Sequence, residues 1–248
     1  MQSARVQDDK LIWQSNDVDN LRYHLGPGLE VANLYPQLHE RGFYEGMRSE
    51  GETDVITLCR SAWAGSQRYG AAVWSGDIPS TPYFRELIVR WFQYGVFCPL
   101  FRLHGVRAPE ANGSGAPNEV WSFGDEAYAI IKDLLFLRER LRPYIMEQVQ
   151  VAHEQGLPPM RPLWVDFPED KACLDVDDEF MFGPSLLVAP VVEQGAASRR
   201  VYLPAGTTWT DAWTGIEIEG GQMLTADTPL DKIPLYLRGE ARLPIHAE

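Results

Sequence analysis

Two folds in succession are predicted for this chain of 248 residues: an α/β region over residues 1–157, then an all-β region of antiparallel strands over residues 158–248. Three observations predict them. In the first region short apolar runs (DVITLC, AAVW, VFCPLF) alternate with helical patterns, the rhythm of strand and helix units around a parallel sheet. After Pro158 the runs MRPLWVDF, SLLVAPVV, RRVYLP, TWTDAW and KIPLYLR are separated by Gly, Pro and Asp turns, the spacing of an antiparallel sandwich or barrel. A content of 45% hydrophobic and 11% aromatic residues supplies a packed core to both.

The start, MQSARVQDDK, is polar and holds no apolar signal core, and no apolar run approaches the roughly 20 residues that span a bilayer, so a cytoplasmic location is expected. Cys59, Cys98 and Cys173 are odd in number and far apart, without metal-site or disulfide spacing, and read as buried thiols. The segment 108–121, rich in Gly, Pro, Ser and Asn, is a surface loop. A helix follows over 125–140, with Ile130, Ile131, Leu134, Leu135, Leu137 and Leu141 on one broad face. Pro143 opens a second helix, since proline is tolerated in a first turn but breaks an interior, and Gly156 stops it.

With 22 Lys plus Arg against 35 Asp plus Glu, the formal charge of -13 repels phosphate backbones and anionic lipid, which excludes nucleic acid and membrane as partners. The acidic runs SEGETD and DVDDE lack the ligand alternation of a calcium loop and read as solvated surface. Of the aromatic residues after Pro158, Trp164, Trp209, Trp213 and Tyr236 suit sandwich core better than a sugar platform.

Three strand ends in the first region carry polar side chains. Arg60 follows TLC, Asp77 follows AAVWSG, and His104 stands in FRLHG. Each has two readings. Asp77 is either a turn residue before Pro79 or a carboxylate on the strand-end face where closed barrels hold their active sites. Arg60 is either a structural ion pair or a donor to sugar hydroxyls, and Trp74 either core or a wall that stacks on a ring. His104 is either a structural imidazole or a ligand contact. Recurrence at successive strand ends favours a polar site without naming its substrate.

The stretches RSAWAGSQRYGAAVWSGD, PYFRELIVRWFQYGVFCPLFRLHG and LRERLRPYIMEQVQVAHEQGLPPMRPLWVDFPED closely resemble the C-terminal half of the catalytic barrel in glycoside hydrolase family 31, its α-xylosidase and α-glucosidase members above all. The run MFGPSLLVAPVVEQGAASRRVYLPAGTTWTDAWTG resembles the β-sandwich that follows that barrel. The resemblance implies a partial (β/α)8 TIM barrel and an antiparallel β-sandwich domain, acting on a terminal α-glycoside or oligosaccharide by retaining hydrolysis, which needs neither a metal nor an organic cofactor. It makes Asp77 the general acid/base, Arg60 and Trp74 parts of the sugar subsite, and His104 a hydrogen-bonding partner of the sugar.

The chain departs from that pattern twice. Family members carry the nucleophile in a WLDE-like motif before NLRYHLGPG; here KLIWQSNDVDNLRYHLGPG puts Gln14 and Ser15 after Trp13, so the nucleophile is absent, a segment being missing near 13–20. A second segment, containing a DIGGF-like motif, is missing near 77–82, where Thr81 runs directly into Pro82. The abrupt junctions resemble excised pieces. An unclosed barrel exposes strand edges and apolar faces, which favours homo-association, and the chain alone is expected to be inactive, a sugar-binding or scaffold remnant being the alternative.

Overall fold

The computed structural model describes residues 3–7, 10–14, 22–73, 84–103, 117 and 119–246. The chain falls into two units, residues 1–75 and 76–248.

The first unit opens with two antiparallel strands, β1 (Ser3–Gln7) and β2 (Lys10–Gln14), paired from Ser3↔Gln14 to Gln7↔Lys10. Only two residues separate them, too few for the parallel crossover expected here, which needs about a dozen. A two-residue pair, β3 (Arg22–Tyr23) with β4 (Gly26–Pro27), and the single turn α1 (Gly28–Val31) lead into α2 (Leu34–Ser49). The parallel pattern appears next: β5 (Thr57–Cys59) and β6 (Ala71–Val73) run side by side in the same direction.

In the second unit, α3 (Phe84–Val96) and α4 (Asp125–Gln155) lie against a six-stranded antiparallel sheet. The sheet is built from β7 (Met160–Arg161), β8 (Phe180–Phe182), β9 (Leu186–Val188), β11 (Thr208–Asp211), β12 (Glu217–Glu219) and β14 (Leu235–Arg238), in the order β12-β11-β14-β9-β8-β7. The ribbon of β10 (Ser198–Leu203) and β13 (Gln222–Asp227) and the short helix α5 (Leu163–Asp166) complete it. Alternation along the strands divides the core. Phe182, Leu186, Val188, Leu235 and Leu237 face the helices, whereas Met181, Leu187, Trp209 and Tyr236 join Val201, Tyr202 and Leu203 of the ribbon. Side chains at successive strand positions point to opposite faces, so one sheet serves two apolar layers.

Three expectations fail here for physical reasons. No helix begins at Pro143: α4 runs through it as one helix. The proline costs about 3 kcal/mol in a helix interior, but Leu141 before it and Ile145 and Ala152 after it are buried on one stripe, and each large aliphatic side chain contributes about 1.5–3 kcal/mol. Ile131, Leu134, Leu137 and Leu141 line that stripe as expected, whereas Leu135 faces outward. The run VFCPLF is no strand. Val96 ends α3, and the carbonyls that follow are taken by the Arg138 guanidinium from α4, which donates to Val96 at 2.6 Å, to Pro99 at 2.9 Å and to Cys98. The run DVDDE is not all solvated, since Glu179 is buried. Gly156, by contrast, closes α4 as expected, with φ +74 and its N–H on the Ala152 carbonyl at 3.0 Å.

Candidate functional site

Of the four residues assigned to the site, Trp74, Asp77 and His104 lie outside the described residues, and Arg60 lies within them. What the structure supplies is the frame. In the parallel pair the register is Thr57↔Ala71, Leu58↔Ala72 and Cys59↔Val73. Cys59 and Val73 are the last residues of their strands, so the chain leaves both strands at the same end of the sheet. Arg60 is the first residue out of β5 there, exposed to solvent.

The segment from Arg60 to Gly70 returns the chain through a 3-10 turn at Ser66–Tyr69. Two glycines fix its corners. Gly65 has φ +101, and Gly70 has φ +65, with no room for a side chain: a Cβ there would stand 2.1 Å from the Val55 carbonyl oxygen. The closeness is used, because the Thr57 N–H donates to the Gly70 carbonyl at 2.9 Å and so starts β5 beside β6. At the other corner the Trp63 N–H donates to Ser66 Oγ at 3.1 Å and the Gly65 N–H to Gln67 Oε1 at 3.0 Å. Trp63 is thereby held three residues beyond Arg60 with half of its surface (49%) open to solvent. Sequence reasoning passed over Trp63. The signal was in AWAG, an aromatic residue beside a turn glycine in a loop leaving a strand end.

Cys59 closes the floor of this end. Its thiol donates to the Ala72 carbonyl at 3.5 Å, and burial, followed by the carboxylate of Glu40 from α2, pushes its pKa up to about 12. At neutral pH it is a protonated thiol, which removes it as a nucleophile, since the thiolate is the reactive form. Cys59 and Cys98 are only half-buried; Cys173 alone of the three is buried as expected, and all three are free. Ile56, Leu58 and Val73, in and just before the strand pair, are exposed among the described residues. Of the later aromatics, Trp209 and Tyr236 are core, Trp213 is partly buried against it, and Trp164 is exposed. Among the described residues no cluster of three or more His, Cys, Asp or Glu is placed to hold a metal ion, and no helix is long and apolar enough to cross a membrane.

Comparison with known proteins gives this geometry a context. The family model described as "Glycosyl hydrolases family 31 TIM-barrel domain" matches residues 5–84 and 79–148, and "Glycosyl hydrolase family 31 C-terminal domain" matches 156–242. An alpha-xylosidase of Saccharolobus solfataricus is 35% identical over 266 residues, covering 93% of this chain and 35% of that protein. Human neutral alpha-glucosidase C is 35% identical over 250 residues, covering 87% of this chain and 27% of that protein. Among solved structures, a family 31 alpha-xylosidase from a soil metagenome, complexed with xylose, superposes with a TM-score of 0.74 at 45% identity, covering 92% of this chain and 41% of that one. A family 31 dextranase of Flavobacterium johnsoniae complexed with glucose gives a TM-score of 0.71 at 31% identity, covering 92% of this chain and 32% of that one. The chain thus spans about a third of the length of these curated relatives.

Proposed function

This chain belongs to glycoside hydrolase family 31, and we propose on that premise that it carries the acid/base side of a retaining α-glycoside-cleaving site, with Asp77 as the acid/base. The observation that carries the proposal is the parallel register of β5 and β6. It brings Arg60, and the point where the chain departs toward Trp74 and Asp77, to one end of one sheet, the end at which (β/α)8 barrels hold their chemistry.

In this reading Asp77 protonates the leaving oxygen of a terminal α-xyloside or α-glucoside and later takes a proton from the attacking water. Arg60 and His104 hold sugar hydroxyls, and Trp74 stacks on the ring. Retention needs a second carboxyl about 5–5.5 Å from the first, to form the glycosyl-enzyme. Nothing after Trp13 supplies it, because Gln14 and Ser15 stand where the family carries its aspartate. The chain alone therefore binds sugar without turning it over. Two findings support missing residues, and the first of them points to the stretch after Asp77. The barrel model matches in two pieces that meet at residues 79–84. The alignment with the Saccharolobus relative runs to 266 positions, more than the 248 residues available here, so that relative holds residues with no counterpart.

The test pairs activity with binding. With an aryl α-xyloside the chain is expected to give no hydrolysis above background, and calorimetry with xylose or glucose is expected to show saturable binding that Arg60→Ala weakens at least tenfold. Hydrolysis that disappears in Asp77→Asn would overturn the claim of inactivity, and a folded chain with no sugar binding would overturn the site. Sequencing the source transcript across residues 13–20 and 77–82 decides whether a WLDE-like and a DIGGF-like segment belong in the working enzyme.

A further inference from the structure

Glu40, on α2, is buried without a hydrogen-bond partner. It is 2% exposed, and neither Oε1 nor Oε2 accepts a hydrogen bond in the structure. A carboxylate taken out of water is costly unless a cation or several donors replace the lost hydration. The adjacent cation on the helix does not supply this, since Arg41 pairs instead with Glu45 at 2.7 Å in solvent.

The strand that α2 packs against supplies the rest of the surroundings. On β5, Thr57 and Cys59 are two positions apart and share one face, while Leu58 between them turns the other way, 63% exposed. Their shared face is the one toward α2: the Cys59 thiol lies against the Glu40 carboxylate, although it donates its proton to the Ala72 carbonyl at 3.5 Å. Thr57 Oγ1 is buried and, like the Glu40 oxygens, has no hydrogen-bond partner. Two carboxylate oxygens, a hydroxyl and a thiol are thus gathered between one helix and one strand, with no cation among them.

We propose that Glu40, Thr57 and Cys59 form a binding site for one thiophilic divalent cation of the zinc class. Sulfur beside a carboxylate selects zinc over magnesium and calcium, which take oxygen ligands. On binding, the Cys59 S–H bond breaks, its proton leaves to solvent, and the sulfur lone pair goes to the ion, which deprotonates a coordinating thiol outright. Thiolate and carboxylate together offset the divalent charge, and the Thr57 hydroxyl completes the shell. With no third His, Cys, Asp or Glu in reach, the site is weaker than a structural zinc centre held by Cys and His alone. The ion ties α2 to β5 one residue before Arg60 leaves the strand. The inference is independent of the glycosidase reading, since none of its three residues is assigned to catalysis or sugar binding.

Cadmium titration of the full, reduced chain tests it, because a cadmium–thiolate bond gives an ultraviolet charge-transfer band that cadmium on oxygen alone does not. One ion per chain is expected, displaced by zinc and not by magnesium or calcium. Cys59→Ser is expected to abolish the band, Glu40→Gln to weaken binding at least tenfold and Thr57→Val several-fold, with Cys98→Ser unchanged. Glu40→Gln removes a buried charge with little change of shape, so thermal unfolding in metal-free buffer at or above the parent's temperature separates a lost ligand from a lost fold. A band that survives Cys59→Ser, an affinity that Glu40→Gln leaves unchanged, or no one-to-one ion on the parent chain would overturn the proposal.

Discussion

Glu179 places a titrating group at the junction of the sheet and the ribbon, and changing it makes the pH dependence of folding calculable. Its carboxyl is 5% exposed; Oε1 accepts the Tyr202 N–H at 2.8 Å, and Arg199 lies 3.6 Å away. Burial pushes its pKa up from 4.5 to about 7, against the opposing pull of the Tyr202 N–H and Arg199. Between those two values the folded protein holds a proton that the unfolded chain has released, so stability is fully present below about pH 4.5 and is lost as pH rises through 7. At 1.36 kcal/mol per pH unit, the loss is at most about 3 kcal/mol, or roughly 6–12 °C in Tm for a unit of this size. Glu179→Gln keeps the acceptor for Tyr202 and removes the titration. Urea unfolding of parent and variant at pH 5 and pH 8 is the assay. The variant is expected to gain on the parent by up to that amount between the two pH values, other titrating groups cancelling in the difference. A difference that stays constant would refute the argument. One that moves the other way would mean that Arg199 holds Glu179 ionised and that the pair stabilises the fold.

Two further substitutions test the frame of each unit. Arg138→Lys replaces a fork that reaches the carbonyls of Val96, Cys98 and Pro99 with a single ammonium; the expected loss, read by urea unfolding, is about 1–3 kcal/mol. Gly70→Ala puts a methyl group against the Val55 carbonyl at a left-handed φ, and is expected to cost more than about 1 kcal/mol and to speed hydrogen exchange at the Thr57 amide, with the second unit unaffected.

The two-layer β architecture was legible because its strands alternate: in SLLVAPVV and KIPLYLR each side chain serves one of two cores, and period-two patterning survives any detail of packing. The parallel pair was legible from TLC and AAV, short apolar runs each ending at a polar or aromatic residue. What was not legible depended on partners distant in sequence. VFCPLF has strand composition, yet Arg138, some 40 residues on, claims its carbonyls. Pro143 carries the local signal of a helix start, but a buried stripe on both sides of it overrides that signal. Glu179 sits in an acidic run that reads as surface, and its burial depends on β10 folding back over it. Trp63 gave only a weak local cue. The residue roles at Asp77, Trp74 and His104 came from motif resemblance, and spacing alone left each of them divided between structure and chemistry.

The long ties between α3 and the far end of the sheet region bear on how the chain is made. Arg90 reaches Thr228 across 138 positions, and Gln93 reaches Leu230 across 137. At synthesis rates of roughly 5–20 residues per second, α3 leaves the ribosome about 7–28 s before those carbonyls exist. For that interval the cluster around Val89, Phe92 and Val96 lacks Ile233, Leu235, Leu237 and Ile245. The nascent chain is therefore a natural client for chaperones that hold apolar helices, and its closure is timed by translation of its last strands rather than by its first helices.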